Sequence, residues 1–225
     1  GLYISLFPQL IAGPIVRYKT VAEQIEYRKT TAEMFADGIR RFLCGFCKKV
    51  LLANNLAVVS EEIFSVQSFA ELPIGYAWIG AISFSLQIFY DFSGYSDMAI
   101  GLGKMFGFEF QENFNYPYIS KSISEFWRRW HMSLGQWFRD YVYIPLGGSR
   151  VGVIRHIMNM FVVWAFTGLW HGANFTFIAW GILYFIGLVI EKYIVKPEKR
   201  KNIIGKVLWQ IVTLLVVIFA WVLFN

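Results

Sequence analysis

The chain has 225 residues, of which 56% are hydrophobic and only 16% charged, with a mean hydropathy of +0.47. That balance excludes a soluble globular domain and reads as a polytopic membrane protein, and 22 Phe, 12 Tyr and 9 Trp supply the amphipathic rings favoured at the lipid headgroups. The net charge of +6 is a juxtamembrane excess and not a nucleic-acid stripe, because its basic residues cluster at the ends of apolar runs.

The chain opens at Gly1 without a methionine, so a fragment of a longer protein, with its N-terminal spans absent, is expected. No basic stretch leads into a short apolar run with a small-residue cleavage site, so insertion is expected to rest on the spans or on residues upstream. Crossing about 30 Å of hydrocarbon takes roughly 20 apolar residues. Thr30-Thr31-Ala32-Glu33 has the form of a capping box and predicts a helix to about Asn54. Lys48 and Lys49 fall near its end, where they complement the dipole and snorkel to the interface. Pro73 suits the first turn of a second helix, in an apolar run from Ile74 to Phe106 interrupted by Asp91, Asp97 and Lys104. Such a run would be about 50 Å of helix, which predicts a tilt or a break around Gly94 to Gly103.

Between Ser120 and His156 the chain turns basic: Lys121, Arg128, Arg129, Arg139, Arg150 and Arg155 face only Glu125 and Asp140. Ser122-Ile123-Ser124-Glu125 is a second capping box, followed by Phe126, Trp127, Trp130, Leu134, Trp137 and Tyr141 at mostly helical spacing. Two readings stand side by side. One is an amphipathic helix lying at the headgroups, and the other a re-entrant element that carries His131 towards a cavity while its arginines receive an anion. The run Ile157–Ile190 is again too long for one span and has Gly168, His171 and Gly172 at its middle. Either two short helices meet there or one broken helix carries His171 at mid-depth, and both keep His171 from lipid. A last span, Ile203–Phe224, follows Lys192, Lys196, Lys199, Arg200 and Lys201, a loop that the positive-inside rule places in the cytoplasm.

Phe7-Pro8-Gln9 with Ala12-Gly13-Pro14, the run Gln87 to Asp97, Phe114-Asn115-Tyr116-Pro117-Tyr118, and the two histidine blocks Ser122–Gly148 and Thr167–Ala173 occur in an order that resembles the membrane-bound O-acyltransferase family. The Tyr143-Ile144-Pro145-Leu146-Gly147-Gly148 ending is closest to its alginate O-acetyltransferase branch. The resemblance implies an all-α polytopic membrane fold, with multiple transmembrane helices plus re-entrant or interfacial helices around a catalytic tunnel, and residues 1–225 as one membrane-embedded core. It implies transfer of an acyl group, in this branch acetyl, to a hydroxyl of a cell-surface polysaccharide, directly or through an extracytoplasmic acetyltransferase partner. No cofactor is held tightly, and the thioester donor is acetyl-CoA or an acyl carrier protein. The implied location is the bacterial cytoplasmic membrane. His171 then becomes the general base and His131 the second active-site histidine, which positions a substrate or donates to an oxyanion. Arg128, Arg129, Trp130, Trp170 and Asn174 are the candidate substrate contacts, Asn174 because it shares a face with His171 if helix continues there. Leu134-Gly135-Gln136 departs from the branch, where a serine follows the leucine.

Bland readings stand beside these. A lone histidine in an apolar run is more often a hydrogen-bonded packing residue. His156, beside Arg155, reads as interfacial, and Asp91 and Asp97 read either as functional carboxylates or as contacts between helices helped by Ser93 and Ser96. Cys44 and Cys47 lack further metal ligands and read as packing thiols, with acylation at the membrane edge the alternative. No metal site is expected. Gly101-Leu102-Gly103-Lys104 lacks a phosphate-loop pattern and reads as close helix packing or a break, and the sequon at Asn174 is discounted within an apolar run. D-alanyl transfer from a carrier protein to teichoic acid is the alternative activity. A non-catalytic acyl channel or scaffold for a partner transferase is the alternative of another class.

Overall fold

The computed structural model describes residues 1–10, 13–66, 72–199 and 202–225. Ala12 of the first motif and Arg200 and Lys201 of the basic loop therefore lie outside the described residues. Every regular element among the described residues is helical: α1 (Leu2–Ser5), α2 (Tyr18–Tyr27), α3 (Ala32–Cys47), α4 (Asn54–Phe64), α5 (Ile74–Met105), α6 (Ile123–Arg129), α7 (Met132–Phe138), α8 (Val153–His171), α9 (Phe175–Ile190) and α10 (Ile203–Phe224). π-helical turns at Lys48–Ala53, Arg139–Tyr143 and Glu191–Val195 join or extend them. Four segments are long and apolar enough to cross a membrane: Ala32–Phe64, Val153–His171, Phe175–Val195 and Ile203–Phe224. The chain divides into two compact units, Gly1–Phe114 and Asn115–Asn225.

In the first unit the helix cap is Thr31, whose hydroxyl accepts from the Met34 amide at 3.1 Å, one residue later than the capping box implies. The helix does not end near Asn54. It passes through the π-helical turn into α4 and stops at Phe64. Lys48 and Lys49 are accordingly mid-helix and not snorkelling at its end. Lys48 pairs with Asp97 of α5 at 2.5 Å, Lys49 pairs with Asp91, and Arg41 bridges Asp97 and Glu112, each at 2.5 Å. The aspartates of α5 thus take the helix-contact role, with cations as their partners. The Ser93 and Ser96 hydroxyls are buried without a hydrogen bond among the described residues. Cys44 and Cys47 are free and exposed in this unit, not packed.

No break occurs in α5, and its glycines serve packing instead. A Cβ added at Gly38 or Gly45 of α3 would stand 2.7 Å and 2.5 Å from the carbonyl oxygens of Gly101 and Gly94 of α5. The reverse additions at Gly101 and Gly94 would meet the Gly38 and Gly45 oxygens at 2.6 Å and 2.7 Å. The order of these pairs makes the two helices antiparallel. The backbones touch where side chains are missing, which is how helices associate when lipid removes the hydrophobic drive between them. Beside this seam, Val16, Val21, Ile100, Phe108 and Phe110 form a small core.

In the second unit α8 and α9 form an antiparallel hairpin built with the same device. A Cβ on Gly168 would lie 2.7 Å from the Phe177 oxygen, and one on Gly181 would lie 2.7 Å from that of Trp164. Gly172, at φ +142°, ends α8, and Asn174 opens α9 by accepting from the Thr176 amide at 3.2 Å. Two helices therefore meet at residues 172–174, each long enough for a full crossing. His171 closes a span and is not at the mid-depth of one.

The stretch after Ser122 is not one amphipathic helix. Ser122 caps α6 through the Glu125 amide at 3.1 Å, while Glu125 returns to the Lys121 amide at 2.9 Å. The chain then turns at His131, whose φ of 44° and ψ of 54° are left-handed, before α7 begins. The first turn of α6 rests on Glu191, a carboxylate only 3% exposed. It accepts from the Ile123 amide at 2.6 Å, the Ser124 amide at 2.9 Å, the Ser124 hydroxyl and the Trp209 indole of α10. An aromatic cluster packs the middle of the unit, with Trp127 4.8 Å from both Trp164 and Tyr184 and Trp130 4.7 Å from Trp221.

Gly45→Ala should cost about 1–3 kcal/mol, because the new methyl meets backbone that cannot swing away. Gly75→Ala, with nothing within 4 Å of its added Cβ, is the matched control. Thermal unfolding of the full-length protein in detergent would show a lowered Tm for the first alone. Glu191→Ala should lower the Tm further, by roughly 1–3 kcal/mol for each buried amide left without an acceptor.

Candidate active site

A cavity of about 530 Å³ lies within the second unit, walled by α6, α7, the π-helical turn after α7, one face of α8 and the end of α9. From α8 it takes His156, Met160, Val163, Trp164 and Thr167. At 1.5 Å per residue this stripe follows ~16 Å of helix, and His171 lies one turn beyond its end. Arg128, Arg139 and Lys192 also line the cavity and give it a positive wall.

His131 lines the cavity and is 6% exposed. Burial, reinforced by the nearby His171, pushes its pKa down to about 3, so the imidazole is neutral at ordinary pH. A neutral ring offers one donor and one acceptor. The Ser133 hydroxyl stands 3.5 Å from its Nδ1. Its left-handed backbone costs on the order of 1–3 kcal/mol for a residue that is not glycine.

His171 is half-buried and is not among the residues that line the cavity. Its ring packs edge-on against Trp180 at 5.1 Å and Phe224 at 4.9 Å, with Trp170 at 4.9 Å. Trp170 also stands 6.1 Å from the His131 ring, so one indole touches both histidines. The structure thus brings the two histidine blocks together through Trp170.

The remaining candidates divide. Arg128 borders the cavity, whereas Arg129 pairs with Glu125 at 2.8 Å and donates to the Asn115 carbonyl at 3.1 Å. Trp130 is 4% exposed, stacked on Phe126 at 5.6 Å and not among the residues that line the cavity. Asn174 is the exposed cap of α9; helix does not continue past His171, so the shared face that suggested Asn174 is absent.

Sequence reasoning missed three polar residues that shape this site. His156, read as interfacial, is held inside the protein. It is 3% exposed, with Nε2 2.6 Å from the Tyr143 hydroxyl and Nδ1 2.5 Å from that of Tyr193. Asn159, three residues on, donates from Nδ2 to the carbonyls of Leu146 and Gly148, each at 3.1 Å. The Tyr143–Gly148 motif is therefore a turn tied to α8 at both ends, and Gly147 and Gly148 supply its positive φ values of 103° and 56°. Glu191, described above, is the third. A polar pair at i, i+3 in apolar α8, and a lone acid just past the end of apolar α9, were the available signals. Among the described residues no group of three His, Cys, Asp or Glu side chains could hold a metal ion.

The membrane-bound O-acyltransferase family model matches residues 2–224. The chain is 47% identical over 99% of its length to the probable alginate O-acetylase AlgI of Pseudomonas aeruginosa, covering 42% of that protein. It is 39% identical over its full length to the peptidoglycan O-acetyltransferase of Helicobacter pylori, covering 43%. To the teichoic acid D-alanyltransferase of Bacillus subtilis it is 29% identical over 99% of its length, covering 58%. The chain thus spans less than two thirds of these relatives. With helices throughout the described residues, four candidate spans and a match from one end to the other, it is a member of the membrane-bound O-acyltransferase family.

Proposed function

We propose that the protein containing this chain moves an acetyl group from a cytoplasmic thioester donor towards hydroxyls of an extracellular polysaccharide, with His171 as general base. The observation that carries the reading is the course of the cavity: from a wall with Arg139 and Lys192, along α8, past His131 and Thr167, to the turn before His171. By the positive-inside rule the loop after α9 is cytoplasmic, so the basic wall is the donor's entrance. The names of the two O-acetylating relatives favour acetyl over D-alanyl. The bacterial cytoplasmic membrane is the location that this donor and acceptor require.

The chemistry follows from the groups in place. A hydroxyl attacks a thioester slowly unless its proton is removed, and a neutral imidazole at His171 can take it. The oxygen bonds to the acyl carbon, the C–S bond breaks, and the thiolate recovers the proton from the imidazolium. A neutral His131 donates a hydrogen bond to the acyl oxygen as negative charge gathers there. Arg128 and the other cavity cations hold an anionic donor, acetyl-CoA or a carrier protein, through charge-assisted hydrogen bonds. The acceptor, a polysaccharide or an extracytoplasmic acetyltransferase partner, approaches from the opposite face.

His171→Ala in the full-length protein should lower acetyl transfer by about 10²–10⁴-fold in membranes holding an unchanged amount of folded protein. Retained transfer would move the chemistry to His131 or to a partner, and loss of folded protein in step with transfer would favour a scaffold. Arg128→Ala should raise KM for the donor about tenfold while KM for the acceptor stays near its starting value. Equal rises in both would remove Arg128 from the donor side.

A further inference from the structure

In the first unit charge continues into apolar sequence. Arg41 and Glu61 bound a stretch of the candidate span Ala32–Phe64 whose charged residues are Lys48 and Lys49. That stretch is ~30 Å of helix, the thickness of a hydrocarbon core, and the lysines stand ~10 Å in from the Arg41 edge and ~18 Å in from the Glu61 edge. A ladder of ion pairs reaches them from the nearer edge. Glu112 and Asp97 hold Arg41 at 2.5 Å, Asp97 also holds Lys48 at 2.5 Å, and Asp91 holds Lys49. The helices are antiparallel, with Gly101 against Gly38 and Gly94 against Gly45, so Asp91 lies deeper from that edge than Asp97 by ~9 Å of helix. The surrounding unit does not seal these pairs. The Lys48, Lys49 and Asp91 side chains are 35%, 41% and 40% exposed. The π-helical turn Lys48–Ala53 begins at the lysines, and such turns are frequent at functional sites.

We propose that the exposed side of the α3–α5 seam lines a hydrated inlet of the full-length protein, open at the Arg41–Glu112 edge and reaching the Lys49–Asp91 pair, which admits water and uncharged hydroxyl-bearing solutes. The inlet rests on depth, charge and exposure, and it stands independently of the acyl-transfer reading. Lipid does not accept such a face, because ions lose several kcal/mol each on leaving water and ionisable groups at membrane depth turn to protein or to water. Water is favoured over a dry protein neighbour by the hydrogen bonds still to be made. Lys48 and Lys49 each donate to one carboxylate among the described residues, and an ammonium has further N–H groups to satisfy. A protein partner would have to bring acceptors for these and donors for the half-exposed Asp91, whereas water is both. The sign of the lining selects the solute. Arg41, Lys48 and Lys49 are balanced by Asp91, Asp97 and Glu112, so no net field draws an ion of either charge inward.

The full-length protein in nanodiscs, with Cys44→Ser and Cys47→Ser, would carry one reporter cysteine at a time. Asp91→Cys is combined with Lys49→Gln so that neither charge of the pair is left alone. Leu51→Cys is the control at nearly the same depth, since Leu51 is an apolar side chain 62% exposed two residues on from Lys49. The thiolate is the reactive form and a thiol in apolar surroundings stays protonated, so labelling by membrane-impermeant methanethiosulfonates reports water. Asp91→Cys should react at least about tenfold faster than Leu51→Cys, with the sulfonate and trimethylammonium reagents within about threefold of each other. Gln87→Cys, one turn from Asp91 along α5, leaves every ion pair in place and is read by the same criteria where the combined variant fails to fold. Equal rates at reporter and control would overturn the inlet. So would an unlabelled reporter in folded protein, which would show the charged face packed against protein or lipid. A preference beyond about tenfold for either reagent would overturn the assignment to uncharged solutes.

Discussion

Helix ends buried away from water must find partners for their free N–H groups within the protein. In the second unit the start of α6 meets this demand with a carboxylate from outside the helix. Glu191 receives two amides and a hydroxyl of α6 and an indole of α10. α6 is too short to be stable by propensity alone, so its position is set by this contact and by its aromatic packing. Arg128, His131 and the cavity inherit that position. A buried carboxylate is costly unless fully hydrogen-bonded, and four donors converging on Glu191 meet the condition.

A second constraint is the absence of a hydrophobic drive between helices in lipid. Both units answer it with glycine opposite backbone, at Gly38 and Gly101, Gly45 and Gly94, and again around Gly168 and Gly181. Close approach in the first unit brings Asp97 within reach of Arg41 and Lys48, so a charged network forms across the seam. In the second unit it aligns α8 and α9 so that His156, near the start of one, meets Tyr193, just past the end of the other. The same contact carries the cavity-lining face of α8 and the Lys192 turn into one cavity.

Much of this was legible from residue types. The last span, the cap at Ser122 and the pairing of the two histidine blocks follow from hydropathy, short-range hydrogen bonding and the ordered motifs. The break at His131 was hidden because aromatic spacing continues across it, and periodicity does not report a single residue in a left-handed conformation. The continuity of α5 was hidden for the opposite reason. Its glycines look like weak points until a second glycine helix is laid against them. Lys48 and Lys49 were assigned to a helix end because the partner aspartates are more than forty residues away in the chain, where local pattern has no view. Arg128 and Arg129 could be told apart only once Arg129 was seen held by Glu125 and the Asn115 carbonyl.

The backbone at His131 narrows what that residue can be for. Glycine or asparagine would adopt φ 44° at less cost, and a corner between two short helices needs nothing more. The imidazole therefore contributes beyond shape. It lines the cavity, burial keeps it neutral, and the indole of Trp170 packs against both its ring and that of His171. A neutral His131 suits the proposed reaction, in which a proton leaves the acceptor oxygen and negative charge gathers on the acyl oxygen. A charged pair would not: each cation would raise the cost of protonating the other as the base takes up its proton. If His171 is the base of the proposed reaction, burial of His131 keeps a competing charge out of its surroundings.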